Sequence, residues 1–286
     1  MAPPPTVPAS GAGAAAVSGA VIADELTETW GAIEALCSRC GPAGWQCATD
    51  CPGWTVQDVV AHLLGTESAL LGRSVPETDG TPFPTYVHNA VGETNERWVR
   101  ARRDLPGASV LEEFRAVAAE RAEALRAMTE EELAAHSWTP AGPGTYADLM
   151  MIRVFDSWVH EQDIRRALGH PGHLAGPPAE RSLDQVQRAS PYIVAKKAGA
   201  PDGSHVVFEV RGPTERRWGV VVVGARGQPA TATIDADVRV LAEFETFMAV
   251  ACGRWAPGPA MADGRIAVEG RLALGRAVVD QLDFVI

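Results

Sequence analysis

The sequence has almost no lysine, few aromatic residues and no long hydrophobic run. Only two of its 25 basic residues are lysines, whereas Asp and Glu together number 36, so the formal net charge is -11. This acidic balance argues against generic nucleic-acid binding, which needs a basic face. No stretch of eighteen or more apolar residues exists, so we expect no transmembrane helix. The 286 residues are 46% hydrophobic, which suffices for one large or two modest domains with buried cores.

The sequence also lacks the signs of a secreted protein. Residues 1–20 are rich in Pro, Ala and Gly and contain no Lys or Arg. A secretory signal needs a charged start and a compact apolar middle, so we predict a disordered tail over 1–20 and a cytoplasmic location. The five cysteines are an odd number, and Cys252 is isolated from the others. This is not the pattern of a secreted disulfide framework.

Helical spacing dominates the first part of the chain. Apolar residues recur at steps of three and four, which predicts helices over about 26–40, 55–71, 86–103, 110–128 and 145–168. Thr55 and Thr145 are predicted N-caps, because each is followed three residues later by an aspartate that favours the helix dipole. Gly and Pro clusters separate the helices.

The composition changes between residues 175 and 205. Beyond that point, short apolar runs predict strands over 206–210, 218–223 and 231–234, and longer periodic segments predict helices over 237–252 and 270–282. A short apolar run covers 266–268 between the two helices. The predicted fold class is therefore α plus α+β, with a helical domain over 21–172 and a smaller α+β domain over 180–286.

The helix predicted to reach residue 168 carries a polar stripe on a largely apolar circumference. Arg153, Asp156, His160 and Asp163 fall within one narrow line at 100° per residue. Ionisable groups on a buried helix are costly unless they are paired or bound to something. One interpretation is a structural network that pairs Arg153 with Asp156 and His160 with Asp163. The other is a metal site, because a carboxylate and an imidazole four residues apart project from one face.

His62 favours the metal interpretation. It lies at the margin of the apolar stripe of its own predicted helix, from which it can point to a neighbouring helix. A lone histidine there is more often an ordinary core or surface residue, but together with Asp156 and His160 it becomes a candidate third ligand. Two imidazoles and one carboxylate suit zinc, nickel or ferrous iron, and three protein ligands leave a coordination position open, as in catalytic sites. Zn²⁺ is our first choice because it also binds thiolates well.

Two sequence strings resemble motifs of one family. Residues 51–63, CPGWTVQDVVAHL, resemble the first motif of the mycothiol-dependent maleylpyruvate isomerase family, which belongs to the larger DinB-like metalloprotein superfamily. Residues 153–165, RVFDSWVHEQDIR, resemble the metal-binding fourth helix of that family. The stretch 205–286 resembles the sterol-carrier-like α+β domain that follows in family members.

This resemblance implies an N-terminal DinB-like four-helix bundle that holds one divalent metal ion, usually zinc. By position, the ligands are His62, Asp156 and His160. The isomerase has Glu where this chain has Asp156, whose side chain is one methylene shorter, so we expect a different ligand distance or metal preference. Asp still ligates zinc, and we keep Asp156 as a ligand. Asp163 is a candidate for orienting His160.

The resemblance also implies an arginine near the substrate, contributed by the third-helix region. Four residues compete for this role: Arg97, Arg100, Arg102 and Arg103. We take Arg97 and Arg100, with Asp163, as the candidate catalytic residues. Arginines near the site could clamp carboxylates of a substrate.

Family members use mycothiol, the cysteinyl pseudo-disaccharide thiol of actinobacteria. The excess of Arg over Lys, with much Ala, Gly and Pro, indicates a GC-rich genome, which fits such a host. Coordination to a divalent metal deprotonates a thiol that is otherwise mostly protonated at neutral pH. We predict a metal-dependent mycothiol S-transferase acting on a small electrophile, and keep cis-trans isomerisation of the maleylpyruvate type as the alternative. The predicted partners are this thiol and a small-molecule electrophile, with no nucleic acid and no membrane, in a monomer or homodimer.

Two further hypotheses do not involve catalysis. One is a thiol, redox or zinc sensor, because four cysteines form a C-x2-C-x6-C-x3-C cluster: Cys37, Cys40, Cys47 and Cys51. The spacing fits no zinc motif well, and Cys37 and Cys40 also lie on an apolar helical stripe. The other is a carrier of a small ligand in the C-terminal domain, with Trp138 and Trp255 lining a pocket.

One acidic residue near the candidate ligands has two interpretations. Glu67 falls on the apolar stripe of its predicted helix. It is either a buried acid near the metal, or the helix ends before it. The remaining histidines lie in predicted loops or at predicted ends, and we assign them no role.

Overall fold

The computed structural model describes residues 17–77 and 80–285. These residues form two compact units, one of residues 17–137 with 145–172 and the other of residues 138–144 with 173–285. Most of the predicted tail lies outside the described residues, but its end does not: the first helix already begins at Gly19. The side chain of Ser18 caps that helix by accepting a hydrogen bond from the backbone N–H of Val21.

The N-terminal part of the chain is built from helices, with one short hairpin before the last of them. In chain order these elements are α1 (Gly19–Cys37), α2 (Pro42–Trp45), α3 (Val56–Leu70), α4 (Ala90–Arg100), α5 (Gly107–Ala127), α6 (Glu130–Ala134), β1 (His136–Thr139), β2 (Gly142–Thr145) and α7 (Tyr146–Leu168). Helix α4 is shorter at both ends than the predicted 86–103.

Both predicted N-caps are confirmed. The side chains of Thr55 and Thr145 accept hydrogen bonds from the backbone N–H groups of Asp58 and Asp148, and each aspartate bonds back to the backbone of its threonine. Such reciprocal capping satisfies two backbone donors that the first turn of a helix leaves open. It fixes where α3 and α7 begin, and so sets which residues of each helix face the core.

Four long helices form a bundle. Helices α1 and α3 each pack against both α5 and α7, and α4 packs on α3. The core is apolar, with residues such as Leu26, Leu63 and Phe114 completely or almost completely buried. The indole N–H of Trp30 on α1 donates to the hydroxyl of Ser157 on α7 at 3.2 Å. The helical bundle followed by a sheet-containing domain confirms the predicted fold class.

The C-terminal unit is built around a five-stranded sheet. Its elements in chain order are α8 (Pro177–Tyr192), a π-helical turn (Ile193–Lys197), β3 (His205–Arg211), β4 (Arg216–Val223), β5 (Arg226–Ala230), β6 (Val238–Glu243), α9 (Phe244–Ala251), α10 (Pro257–Ala262), β7 (Ile266–Gly270) and α11 (Leu272–Asp280). The strand order is β5-β4-β3-β6-β7, and only the β3–β6 pair is parallel. Phe208 stacks on Trp218 with ring centroids 5.1 Å apart in the core of this unit.

Two predictions for this unit are wrong. The third strand covers Arg226–Ala230 rather than 231–234, because residues 226–230 pair with β4. The helix predicted over 237–252 begins only at Phe244, since the preceding residues form β6 between β3 and β7. Val238, Val240 and Ala242 are buried there with a period of two, which is the alternation of a strand. Helix α8 and the β1–β2 hairpin were not predicted.

A glycine at the α3–α4 contact provides a test of this packing. A Cβ at Gly65 would lie 2.3 Å from Cγ of Trp98, so we expect Gly65→Ala to destabilise the protein by about 1–3 kcal/mol through overpacking. A Cβ at Gly31 on α1 would have nothing within 4 Å, so Gly31→Ala should raise the free energy of unfolding by about 0.5–1 kcal/mol. Urea unfolding of both variants measures these changes in the free energy of unfolding. The same change in both variants would contradict the close approach of α3 and α4.

Candidate metal centre

The structure brings the three predicted metal ligands together at the meeting of α3 and α7. Nε2 of His62 lies 3.3 Å from Oδ2 of Asp156, and Nε2 of His160 lies 3.7 Å from Oδ1 of the same carboxylate. The ligand atoms of the three residues all lie within 4.8 Å of one another. Both histidines are buried, whereas the Asp156 side chain is 29% exposed. The carboxylate therefore marks the accessible side of the group.

The chemistry of this donor group suits a divalent cation such as zinc. Two imidazole nitrogens and one carboxylate oxygen are a common zinc ligand set, and three ligands leave one position open. Nδ1 of His62 is buried without a hydrogen-bond partner among the described residues, whereas Nε2 faces the carboxylate of Asp156, so the polar contact of this ring is to another candidate ligand. The residues present therefore fit the ion that the family resemblance implies.

The protonation states also suit metal binding. Burial lowers the pKa of His62, although the hydrogen bond to Asp156 opposes the shift, so this imidazole is neutral near neutral pH. Burial would raise the pKa of Asp156, but the Arg153 guanidinium, followed by the two histidines, holds it well below its usual range. A neutral imidazole and an ionised carboxylate are the forms that bind metal ions.

The ion pairs of the alternative interpretation are present as well. Nη1 of Arg153 donates to Oδ2 of Asp156 at 2.6 Å, and Nδ1 of His160 lies 3.0 Å from Oδ2 of Asp163. These pairs leave Nε2 of His160 and Oδ1 of Asp156 directed at each other. The structural network and the candidate metal site are therefore parts of one arrangement rather than competing interpretations.

Glu67 anchors this arrangement from the core of the bundle. It lies within α3, three residues before its end, and is completely buried. Its two carboxylate oxygens accept hydrogen bonds from Nε of Arg153 at 2.9 Å and from Nε of Arg121 at 3.0 Å. Of the two interpretations from the sequence, the buried acid near the candidate ligands is confirmed. Glu67 thus holds the arginine that in turn holds Asp156.

Asp163 connects His160 to the loop before α3. Its Oδ2 faces Nδ1 of His160 and accepts a hydrogen bond from the Cys51 thiol at 3.2 Å. Its Oδ1 accepts a hydrogen bond from Arg166 at 2.7 Å. Cys51, His160 and Asp163 form a second group with converging ligand atoms. Because Arg166 already compensates the Asp163 charge, we interpret this group as support for His160. A proton on Nδ1, donated to Asp163, leaves Nε2 free to bind a cation.

Trp54 forms a wall of the candidate site. Its ring centroid lies 5.2 Å from that of His62 and 6.1 Å from that of His160. Its indole N–H donates to Oε2 of Glu96 at 3.1 Å. Sequence reasoning missed the roles of Trp54 and Glu96. The available signal was that Trp54 directly precedes the N-cap of the helix that carries His62.

The two predicted catalytic arginines contact the loop between α3 and α4. Nε of Arg97 donates to the carbonyl of Pro76 at 2.6 Å. Arg100 donates to the carbonyls of Thr81 and Pro82 and to Glu96. These hydrogen bonds hold the loop, and within the described ranges they do not reach the three donor groups. A direct role in catalysis stays a prediction for both.

The cysteine cluster consists of thiols rather than disulfides. Among the described residues, no disulfide joins any two of the five cysteines. Burial, together with the neighbouring Cys40 thiol, raises the pKa of Cys37 far above its usual range, which disfavours its thiolate form. In the part of the chain that the structure describes, only Cys51 of the cluster belongs to a group that could hold a metal ion. A sensor function of the cluster stays a hypothesis.

Family models match both parts of the chain. Residues 26–165 match the mycothiol maleylpyruvate isomerase N-terminal domain, and residues 183–283 match the SCP-2 sterol transfer family. The protein is thus a two-domain chain that joins an isomerase-type helical domain to a sterol-carrier-like domain. These two matches confirm the resemblance to the mycothiol-dependent maleylpyruvate isomerase family seen in the two sequence motifs.

Similarity to individual proteins is low but extends over much of the chain. The crystal structure of the mycothiol-dependent maleylpyruvate isomerase is 18% identical and covers 84% of this chain and 90% of its own, with a TM-score of 0.55. An uncharacterized protein of Mycobacterium tuberculosis strain H37Rv, Rv0036c, is 24% identical over 191 residues, which are 65% of this chain and 71% of that protein. The structural likeness shows a shared fold. Among the described helices, none is long and apolar enough to cross a membrane.

The buried ion network gives a stability prediction. Glu67→Gln keeps the shape of the side chain but removes the charge between two buried arginines, so we expect a loss of about 3–5 kcal/mol in unfolding free energy. The exposed pair of Arg126 with Asp24 is the matched control, and Asp24→Asn should cost about 0–1 kcal/mol. Urea unfolding of the metal-free proteins measures both changes. A loss at Glu67 as small as the one at Asp24 would show that the network is not needed.

The depressed pKa of His62 gives a pH prediction. In the unfolded chain this imidazole takes up a proton below its ordinary pKa of 6.5, whereas the folded protein keeps it neutral to lower pH. The unfolded state therefore binds more protons, and stability falls as the pH drops through this window. Urea unfolding of metal-free protein between about pH 7.5 and about pH 5.5 should show a smaller fall for His62→Gln than for the wild type. The same dependence of stability on pH in both proteins would contradict the lowered pKa of His62.

Proposed function

We propose that the protein is a metal-dependent enzyme that uses mycothiol as a cosubstrate and joins the intact mycothiol thiolate to a small electrophile through a new carbon–sulfur bond. The observation that carries the proposal is the convergence of His62, Asp156 and His160 within 4.8 Å. These residues lie in the part of the chain matched by the isomerase family model. A bound divalent cation, with Zn²⁺ as our first choice, would supply Lewis acidity that lowers the pKa of a thiol to give a thiolate at neutral pH.

The chain's own residues have separable roles in this proposal. His62, Asp156 and His160 are the proposed ligands. Asp163 orients His160 by accepting a hydrogen bond from the Nδ1–H group, and Arg153 keeps Asp156 ionised and in place. The indole of Trp54 shields the two imidazoles from water on one side, which strengthens electrostatic interactions at the site. The exposed part of Asp156 leaves the side from which a thiol and an electrophile can approach.

The charge balance around the donor groups supports S-transfer. The three arginines of the network are paired with carboxylates: Arg121 and Arg153 with Glu67, and Arg166 with Asp163. Paired in this way, they have less attraction for an anionic substrate. An uncharged electrophile therefore suits the site better than a dicarboxylate does.

Isomerisation of the maleylpyruvate type is the second candidate, and the family match favours it. In that reaction the thiolate adds to a conjugated double bond, the bond rotates and the thiol leaves again. Arg97 and Arg100 stay the proposed contacts for substrate carboxylates, which requires that they exchange the loop carbonyls they now bind. The two reactions share the thiolate and differ in whether sulfur remains in the product.

Metal analysis and a conjugation assay test the proposal. Purified wild-type protein should contain about one equivalent of divalent metal and catalyse conjugation of mycothiol with a bimane electrophile above the uncatalysed rate. His62→Ala and His160→Ala should lose the metal and reduce the rate by at least about 100-fold, because each removes a ligand. His170→Ala is the matched control and should change neither property.

The outcomes of this experiment are distinct. Absence of stoichiometric metal from the wild type, or activity retained in both ligand variants, would refute the proposal. Mass spectrometry of products formed with mycothiol and maleylpyruvate separates the two reactions. An accumulating S-conjugate supports transfer, whereas an isomerised product with the free thiol regenerated supports isomerisation.

A further inference from the structure

Glu96 on α4 is a fully buried carboxylate with four hydrogen-bond donors around it. Its Oε1 accepts from Nε of Arg100 at 3.3 Å and from Nη1 of Arg103 at 3.2 Å. Its Oε2 accepts from the indole N–H of Trp54 and the hydroxyl of Tyr86, both at 3.1 Å. One oxygen thus faces the compensating charges, and the other holds two aromatic side chains.

Stability alone is a weak explanation for this carboxylate. Removing a charged group from water costs several kcal/mol, and a well-packed apolar residue often stabilises a core as well as a buried ion pair does. What a carboxylate adds is direction, because Oε2 fixes the polar edge of the Trp54 indole at a defined point. The burial of a charged Glu96 is therefore best explained by the aromatic side chains that its Oε2 holds in place.

The backbone around Trp54 is already fixed, so the indole orientation is the remaining freedom. The Trp54 N–H donates to the carbonyl of Cys51 at 3.0 Å, and its own carbonyl accepts from the N–H and the hydroxyl of Thr49. Thr55, the next residue, caps α3. The hydrogen bond to Glu96 restrains the side-chain rotation that these backbone contacts leave open.

The Trp54 indole is the shared neighbour of both histidines. Its plane is inclined by 39° to the ring of His62 and by 32° to the ring of His160, and the two imidazoles themselves lie 4.8 Å apart. A rotation of the indole would displace both rings, because the three rings are in contact. The position of this one side chain therefore limits how the two imidazole nitrogens can point.

We infer that Glu96 is a positioning residue of the metal centre and acts on His62 and His160 through the indole of Trp54. The inference rests on the proposed metal site but not on the reaction proposed for it. Loss of the indole–carboxylate bond should weaken metal binding and alter ligand geometry, with a smaller effect on the stability of the metal-free protein.

A double-mutant cycle tests the inference in the full-length protein with Co²⁺ as the probe. Glu96→Gln removes the charge, and because the two arginines attract its one remaining acceptor oxygen, its NH2 group should face the indole N–H and break that hydrogen bond. Trp54→Phe keeps an aromatic ring but removes the N–H. Each should weaken Co²⁺ binding by about 10–100-fold and change the visible absorption spectrum of bound Co²⁺, which reports coordination geometry. The double variant should bind about as weakly as the weaker single variant, because both changes break one interaction.

Two controls separate this role from general packing. Tyr86→Phe removes the other donor to Oε2 without touching the indole, and Glu113→Gln removes the surface carboxylate that pairs with Arg102. Both should leave Co²⁺ affinity and spectrum unchanged. If Glu96→Gln fails to fold, the contrast between Trp54→Phe and Tyr86→Phe still decides the question.

The outcomes distinguish this inference from the proposed function. Wild-type protein that binds no Co²⁺ would overturn the metal site and the inference together. Wild-type binding with additive single effects, or with an unchanged spectrum in Trp54→Phe, would overturn the inference alone. A loss of unfolding free energy without any loss of affinity would also overturn it, since Glu96 would then be a structural residue only.

Discussion

The placement of one guanidinium at the centre of the bundle makes the rest of the site possible. Arg153 lies between the carboxylates of Glu67 and Asp156 and hydrogen-bonds to both. Together with Arg121, which also pairs with Glu67, this guanidinium compensates two acids that could not otherwise share an apolar interior. Its position keeps Asp156 ionised and turns that carboxylate towards His62 and His160. The surrounding helices form the apolar interior, but the ion pairs of Arg153 decide which charged side chains can be buried in it.

The parts of the site that follow from helical periodicity could be predicted from the sequence. The polar stripe of α7 follows from its sequence, and the N-caps at Thr55 and Thr145 fix the register of the two helices that carry the ligands. The link between Trp54 and Glu96, which are 42 residues apart, could not be predicted, because nothing local to either residue indicates the other. The loop contacts of Arg97 and Arg100 could not be predicted for a related reason, because a loop carbonyl and a substrate carboxylate attract a guanidinium in similar ways.

The C-terminal unit was harder to predict than the bundle because its pairing is non-local. Residues 238–243 have apolar residues at spacings compatible with both a strand and a helix, and the choice is made by the neighbours β3 and β7. Helix α8 begins with two prolines, which read as a break in the sequence although proline is well suited to the first turn of a helix. Similarity at 18% identity shows that such a fold persists while most side chains change.

The separation of the proposed ligands along the chain has a mechanical consequence. His62 and Asp156 are 94 residues apart, so an ion held by both would act as a reversible cross-link between α3 and α7. An ion that binds the folded chain but not the unfolded one would add its binding free energy to the stability of the bundle. A chelator would remove that contribution. Cation supply would in this way set how long the bundle resists opening, independently of any chemistry at the open position.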